Sequence, residues 1–355
     1  MRRFIKIFTV LATLFIILCS SISIGVPVHE KYVTHEKKVA VALSTSNSSY
    51  FIYKAQPVGY QHDLINAFSQ EINTNVRFIV ANTLDERLQL LESGDVSFIV
   101  LSKDETDSIS KNKDIYTSVA INSQEPFTWA VSSDNPRLLS KINLFLSNFI
   151  SASDYRIIRW KYFEAKTNMA EAAKQDKSLS EYDDLIKKYS ENIGWDWRLL
   201  ASLIYQESRF MTDLSSRKGA YGLMQLMPVT ALTFGYEDMS DPETNIQAGT
   251  AFLRFLDKQI GKIDEIDGEE RIKFILASYN AGLARIVEDC RAYTSVMDKD
   301  PNIWTNVAST IPLLSHPGHY TNDTLSYGRF KGKETLHFVE EIMERYHHYQ
   351  NLIDY

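Results

Sequence analysis

The chain has 355 residues, 44% of them apolar and 23% charged, the proportions of an ordinary globular protein and not of a disordered or fibrous one. At about 150 residues per domain this length suits one large or two modest domains, each able to bury its own core. The balance of 38 basic against 45 acidic residues, a formal net charge of −7, argues against a general nucleic-acid binder. The two cysteines, Cys19 and Cys290, are too few for a disulfide scaffold or a Cys-rich zinc site.

Residues 1–25 open the chain as a secretory leader or a membrane anchor. Arg2, Arg3 and Lys6 precede an apolar stretch from Ile7 to Cys19 that only Thr9 and Thr13 interrupt. Ser23-Ile24-Gly25 supplies the small residues that a signal peptidase inspects. A retained anchor is the alternative, and Cys19 offers a lipoprotein as a third, against which Leu18 stands where a small residue is usual. All three readings export the chain.

Residues 38–163 then read as strand, helix, strand, helix, strand. Val39–Leu43 is a strand, a helix runs from about His62 to Ile72, and Val76–Ala81 is a second strand. Thr83 and Glu86 form a capping-box pair that opens a helix ended by Gly94, and Val96–Leu101 is a third strand. Apolar strands alternating with helices predict a parallel sheet covered on both faces. Gly59-Tyr60-Gln61-His62-Asp63-Leu64, the helix ending Glu92-Ser93-Gly94-Asp95-Val96, and Phe127–Val131 followed by Asn135-Pro136-Arg137 resemble the first lobe of family 3 periplasmic solute-binding proteins. The resemblance implies an α/β solute-binding-like domain. That family inserts a second lobe after the third strand, whereas here only residues 104–125 are available, so one lobe is expected. A ligand sensor and a scaffold or partner-docking domain are the two readings, and the missing lobe favours the second.

Residues 164–179 read as a polar linker, and residues 180–355 as helices throughout. Ser180 and Asp183 open the first helix. Asp196 is the expected N-cap of the next, whose apolar stripe Leu200, Leu203, Ile204 continues at helical spacing to Glu207. A carboxyl on a core-facing position keeps its proton near neutral pH, the state a general acid needs. A helix-end Glu paired with Arg209 or facing water is the plainer alternative. Gly219-Ala220-Tyr221-Gly222-Leu223-Met224-Gln225-Leu226-Met227-Pro228 reads as a groove wall approached closely by a ligand, or as a tight turn with Met filling the core. On the helix from about Arg271 to Gly282, Tyr279 continues the stripe Ile272, Ile275, Leu276, with Asn280 beside it.

Glu207-Ser208, Ser216, the Gly219–Pro228 stretch and Ala277-Ser278-Tyr279-Asn280-Ala281-Gly282 resemble the signature motifs of the lytic transglycosylase family, whose domain is similar to goose-type lysozyme. Tyr327-Gly328 and Gly332-Lys333-Glu334-Thr335 resemble its closing motif. The resemblance implies an all-α lysozyme-like catalytic domain acting on peptidoglycan glycan strands. It would cut between N-acetylmuramic acid and N-acetylglucosamine and leave 1,6-anhydromuramic acid ends. By this resemblance Glu207 is the single acid/base, Tyr279 orients it, and Ser216, Gln225, Met227 and Asn280 contact the sugars. Most glycosidases need two carboxylates at a set separation, and these motifs supply one. No cofactor and no metal are expected. His316, His319, His347 and His348 lack ligand spacing and read as surface histidines, and Cys290 as a buried inert thiol.

The expected setting is the cell envelope: periplasmic and peripheral on the outer membrane, or held by the N-terminal apolar segment. The N-terminal domain is the candidate contact for other envelope proteins. A water-using muramidase and a non-catalytic peptidoglycan-binding protein are the alternative functions.

Overall fold

The apolar runs gather into one main core in the helical part and one on each face of the N-terminal sheet. The computed structural model describes residues 39–46, 49–121, 126–164, 178–263, 266–320 and 325–353. The leader and most of the expected linker lie outside the described residues. In the N-terminal part the elements are β1 (Val39–Leu43), β2 (Phe51–Tyr53), β3 (Gln56–Val58), α1 (Tyr60–Glu71), β4 (Val76–Val80), α2 (Leu84–Ser93), β5 (Phe98–Ser102), α3 (Lys103–Ser108), β6 (Ile115–Thr117), β7 (Phe127–Ser132), α4 (Pro136–Phe149) and α5 (Ser153–Arg159), which runs on into a π turn at Trp160–Glu164. The Thr83–Glu86 capping box forms, and Gly94 closes α2 in the left-handed conformation.

The sheet order is β4-β1-β5-β7-β6. β1 is parallel to β4 and β5, as the alternating pattern predicts. Beyond these three strands the sheet becomes mixed, because β7 returns antiparallel to β5 and β6 pairs antiparallel with β7. After β5 the chain runs through the short α3 to β6 at the sheet edge and comes back as β7 between β5 and β6. Trp129 on β7 is fully buried against Phe68, Phe98 and Phe145, and its indole N–H donates to Gln61 Oε1 at 2.9 Å.

The C-terminal part is helical: α6 (Asp183–Glu191), α7 (Trp197–Ser208), α8 (Pro228–Thr233), α9 (Pro242–Ile260), α10 (Gly268–Ala281), a π segment (Arg285–Cys290) leading into α11 (Arg291–Val296), α12 (Trp304–Thr310), α13 (Pro317–Tyr320) and α14 (Lys333–Leu352). Asp196 caps α7, accepting from Arg198 N at 2.9 Å. Leu200, Leu203 and Ile204 are fully buried in the helical core, and α7 packs on α14 and α6. At about 1.5–3 kcal/mol for each fully buried large apolar side chain, this stripe anchors the helix that carries Glu207.

The last helix belongs to both parts. Its first turn bonds to α10, its middle and end lie along α7, and its last turns also reach β2, β3 and β4 of the N-terminal sheet domain. Tyr349 Oη donates to Ala55 O at 2.8 Å, Asn351 Nδ2 to Phe78 O at 3.1 Å, and His348 Nδ1 meets the Tyr50 hydroxyl. His348 is therefore not the surface histidine its sequence suggested. It is buried among Tyr50, His62 and Phe78. Burial, with neighbouring His62, His347 and Arg345, lowers its pKa to about 3. Cys290 is buried, and burial raises its thiol to about 12. Among the described residues no helix is long and apolar enough to cross a membrane, and no group of three metal-ligating side chains occurs.

Candidate active site

Three elements converge on Glu207. The first is the end of α7, where Arg209 takes a left-handed conformation, φ 53°, and stops the helix. Ser208 is buried and Glu207 half-buried, so the carboxyl sits at the margin of the core and not inside it. Gln206 Oε1 accepts from Arg345 Nη1 at 3.1 Å, and the Arg345 guanidinium lies over the Tyr205 ring at 4.6 Å. The residues around Glu207 are thus tied to α14, while Glu207 itself has no hydrogen-bonding or ionic partner among the described residues. Arg209 does not pair with it. Burial raises its pKa from 4.5 to about 8, with no opposing charge to bring it down.

The second element is the loop from Leu214 to Met227. Ser216 staples its outer turn: its Oγ accepts from Ala220 N at 3.0 Å, and its backbone N–H donates to Ala220 O at 2.9 Å. Tyr221 and Leu226 exchange backbone hydrogen bonds at 3.0 and 3.2 Å, closing an inner turn over Gly222–Gln225. Gln225 stands at φ 46°, and its side-chain Nε2 donates to Leu214 O at 2.8 Å and Gly222 O at 2.9 Å. Its amide donors are thus already committed to the loop backbone, and only Oε1 is left for a ligand. Met227 is exposed at the start of α8.

The third element is α10. Tyr279 lies close enough to Glu207 for the carboxylate charge to raise the phenol pKa, on top of a larger effect of burial, and so it remains protonated. Its hydroxyl donates to Met224 O at 2.7 Å and not to Glu207. Asn280 is exposed, and its Oδ1 accepts from Thr335 Oγ1 at 2.8 Å, which ties the site to the first turn of α14. The structure therefore draws Glu207, Tyr279 and the Met224–Gln225 turn together. Ser216 and Asn280 occupy the flanks, held by backbone and side-chain bonds of their own.

One residue escaped the sequence reading. Asn245 on α9 is 1% exposed and bonds to Met224, Tyr221 and Met239. The available signal was an Asn at the head of the buried stripe Gly249, Leu253, Leu256, Ile260, where an apolar residue belongs.

Residues 38–165 match the profile of bacterial extracellular solute-binding proteins, family 3, and residues 184–301 match that of the transglycosylase SLT domain. The chain thus joins a solute-binding-type α/β domain to a lysozyme-like helical domain of the lytic transglycosylase type, in that order. It is similar to the membrane-bound lytic murein transglycosylase F of Desulfosudis oleivorans, 33% identical over 239 residues that make up 66% of this chain and 52% of the relative. The protein of the same name from Photobacterium profundum is 31% identical over 280 residues, 76% of this chain and 52% of the relative. The chain spans about half the length of these curated relatives. Among solved structures, the 70 kDa soluble lytic transglycosylase of Escherichia coli is 26% identical, over 48% of this chain and 24% of that one, with a TM-score of 0.34.

Proposed function

We propose that this protein is a peptidoglycan lytic transglycosylase of the cell envelope, with residues 180–355 as its catalytic domain. The observation that carries the reading is the Glu207 carboxyl, without a hydrogen-bonding or ionic partner among the described residues, raised to about 8 by burial and close to Tyr279, whose hydroxyl is anchored on Met224 O. A carboxyl that titrates there is still protonated at neutral pH and can give up its proton in a transition state.

Glu207 donates its proton to the glycosidic oxygen as the bond from C1 of N-acetylmuramic acid breaks. The resulting carboxylate takes the proton of the muramoyl 6-hydroxyl as O6 bonds to C1. The proton is restored to Glu207, no water is consumed, and a 1,6-anhydro end results. This scheme asks for one carboxylate, which agrees with the motif set. Tyr279, anchored on Met224 O, limits the space open to Glu207. Gln225 Oε1, Met227, Ser216 and the Asn280 amide face the glycan. The apolar leader in the sequence and the words membrane-bound in the relatives' names support export, with residues 38–163 as a single-lobed accessory domain. Digestion of purified sacculi followed by mass spectrometry tests the proposal. Products lighter by one water than muramidase products are expected. Reducing ends would make the enzyme a hydrolase, and no release would make it a binder.

A further inference from the structure

The Met224 backbone is held from two sides, and only one of the two holders belongs to the proposed chemistry. Tyr279 on α10 donates to its carbonyl at 2.7 Å. On the other side Asn245 Oδ1, from α9, accepts from its N–H at 2.9 Å. The Asn245 amide group donates in turn to Tyr221 O at 3.1 Å and Met239 O at 3.2 Å. This orientation is the one that satisfies all three partners. A flipped amide would set its N–H groups against an N–H and its oxygen against two carbonyls. The backbone is shaped to this contact. Gly222 has φ 79°, and a Cβ there would lie 2.0 Å from Asn245 Nδ2. One turn further along α9, a Cβ on Gly249 would lie 2.1 Å from Met224 Sδ. Two glycines, on opposite sides of the contact, therefore let the turn and the helix approach as closely as they do.

We infer that Asn245 is a positioning residue for the active site: through the Met224 backbone it fixes where the Gly222–Gln225 turn and the Tyr279 hydroxyl stand beside Glu207. The inference rests on the proposed function for its catalytic readout, but its geometric content does not. If Asn245 lets go, the turn is free to lift, Tyr279 loses a fixed acceptor, and water gains access to Glu207. The acid then titrates at lower pH than in the wild type. A residue that only stabilised the helix would lower the melting temperature and leave that titration unchanged.

The test uses the full chain carrying Asn245→Ala, with Asn245→Ser as a milder second variant, and Ile246→Val as a control that removes a buried methyl from the same turn. In each background the pH at which Glu207 titrates is read from the pH dependence of the melting temperature relative to the same protein with Glu207→Gln. A downward movement of at least one pH unit in the Asn245 variants, and none in the control, is expected. Glycan release from sacculi should fall at least tenfold in kcat with KM changed less than threefold. An unmoved titration overturns the inference, as does activity that recovers fully at a temperature well below the melting point. If the wild type itself cleaves nothing, the proposed function fails, and the titration alone still decides the role of Asn245.

Discussion

Replacing Glu207 by Gln should abolish glycan release and at the same time stabilise the protein at neutral and alkaline pH. In the unfolded chain this carboxyl titrates near 4.5, and in the folded protein burial moves it to about 8. Between those values the folded state holds a proton that the unfolded state has released, so the contribution of Glu207 to stability falls as pH rises through that window. The interval is about 3.5 pH units, which at roughly 1.4 kcal/mol per unit gives an upper figure of about 5 kcal/mol. Glu207 is only half-buried, so solvent in the groove screens part of this and about 2–3 kcal/mol is the expected size. Gln has the same shape and never ionises, so it escapes the whole cost. Thermal melts of both proteins from pH 4 to 9 should coincide near pH 4.5 and diverge above it, by roughly 4–10 °C near pH 8.5. His348 and the other titrating groups are common to both and cancel in the difference. A Tm difference that stays constant across this range would refute the assignment of a raised pKa to Glu207.

The wild-type pH–activity profile should fall on its alkaline side near pH 8, where Glu207 loses its proton; activity that persists undiminished to pH 10 would exclude it as the acid. Tyr279→Phe removes the donor to Met224 O, so it should lower stability by about 1–2 kcal/mol and kcat more than KM, as read from melts and glycan release. His348, held near 3 in the fold against 6.5 when free, contributes stability that is complete above pH 6.5 and lost as pH falls toward 3. His348→Gln should therefore flatten the acid side of the stability profile measured by thermal melts. Calorimetry of the full chain with free amino acids should detect no micromolar binding, because one lobe cannot enclose such a ligand.

Local chemistry accounts for what was legible from sequence. The Thr83–Glu86 box and the Asp196 cap each close within a few residues, so composition and spacing suffice to find them. The stripe from Leu200 to Ile204 fixes the face of α7, and hence the direction of Glu207, by helical geometry alone. Asn245 was not legible because its partners come from positions 221, 224 and 239, brought together only by the turn packing on α9. The committed donors of Gln225 escaped for the same reason, since a left-handed backbone at that position turns the side chain back onto its own loop. The burial of His348 did leave a trace: Phe338, Ile342, Arg345 and Tyr349 mark one face of the final helix, and His348 lies on that face.

That final helix has a consequence for how the chain can be edited. A boundary drawn at the polar stretch before α6 looks like a seam between two cassettes, yet the segment completing the sheet domain's surface comes from the last turns of α14, beyond the rest of the helical part. Isolating residues 38–163 leaves Tyr50, His62 and Phe78 without the His348 ring and Ala55 O without the Tyr349 hydroxyl. Trimming the last dozen residues does comparable damage to both halves at once. A transplant of the sheet domain onto another protein would have to carry the last turns of α14 with it to keep these contacts.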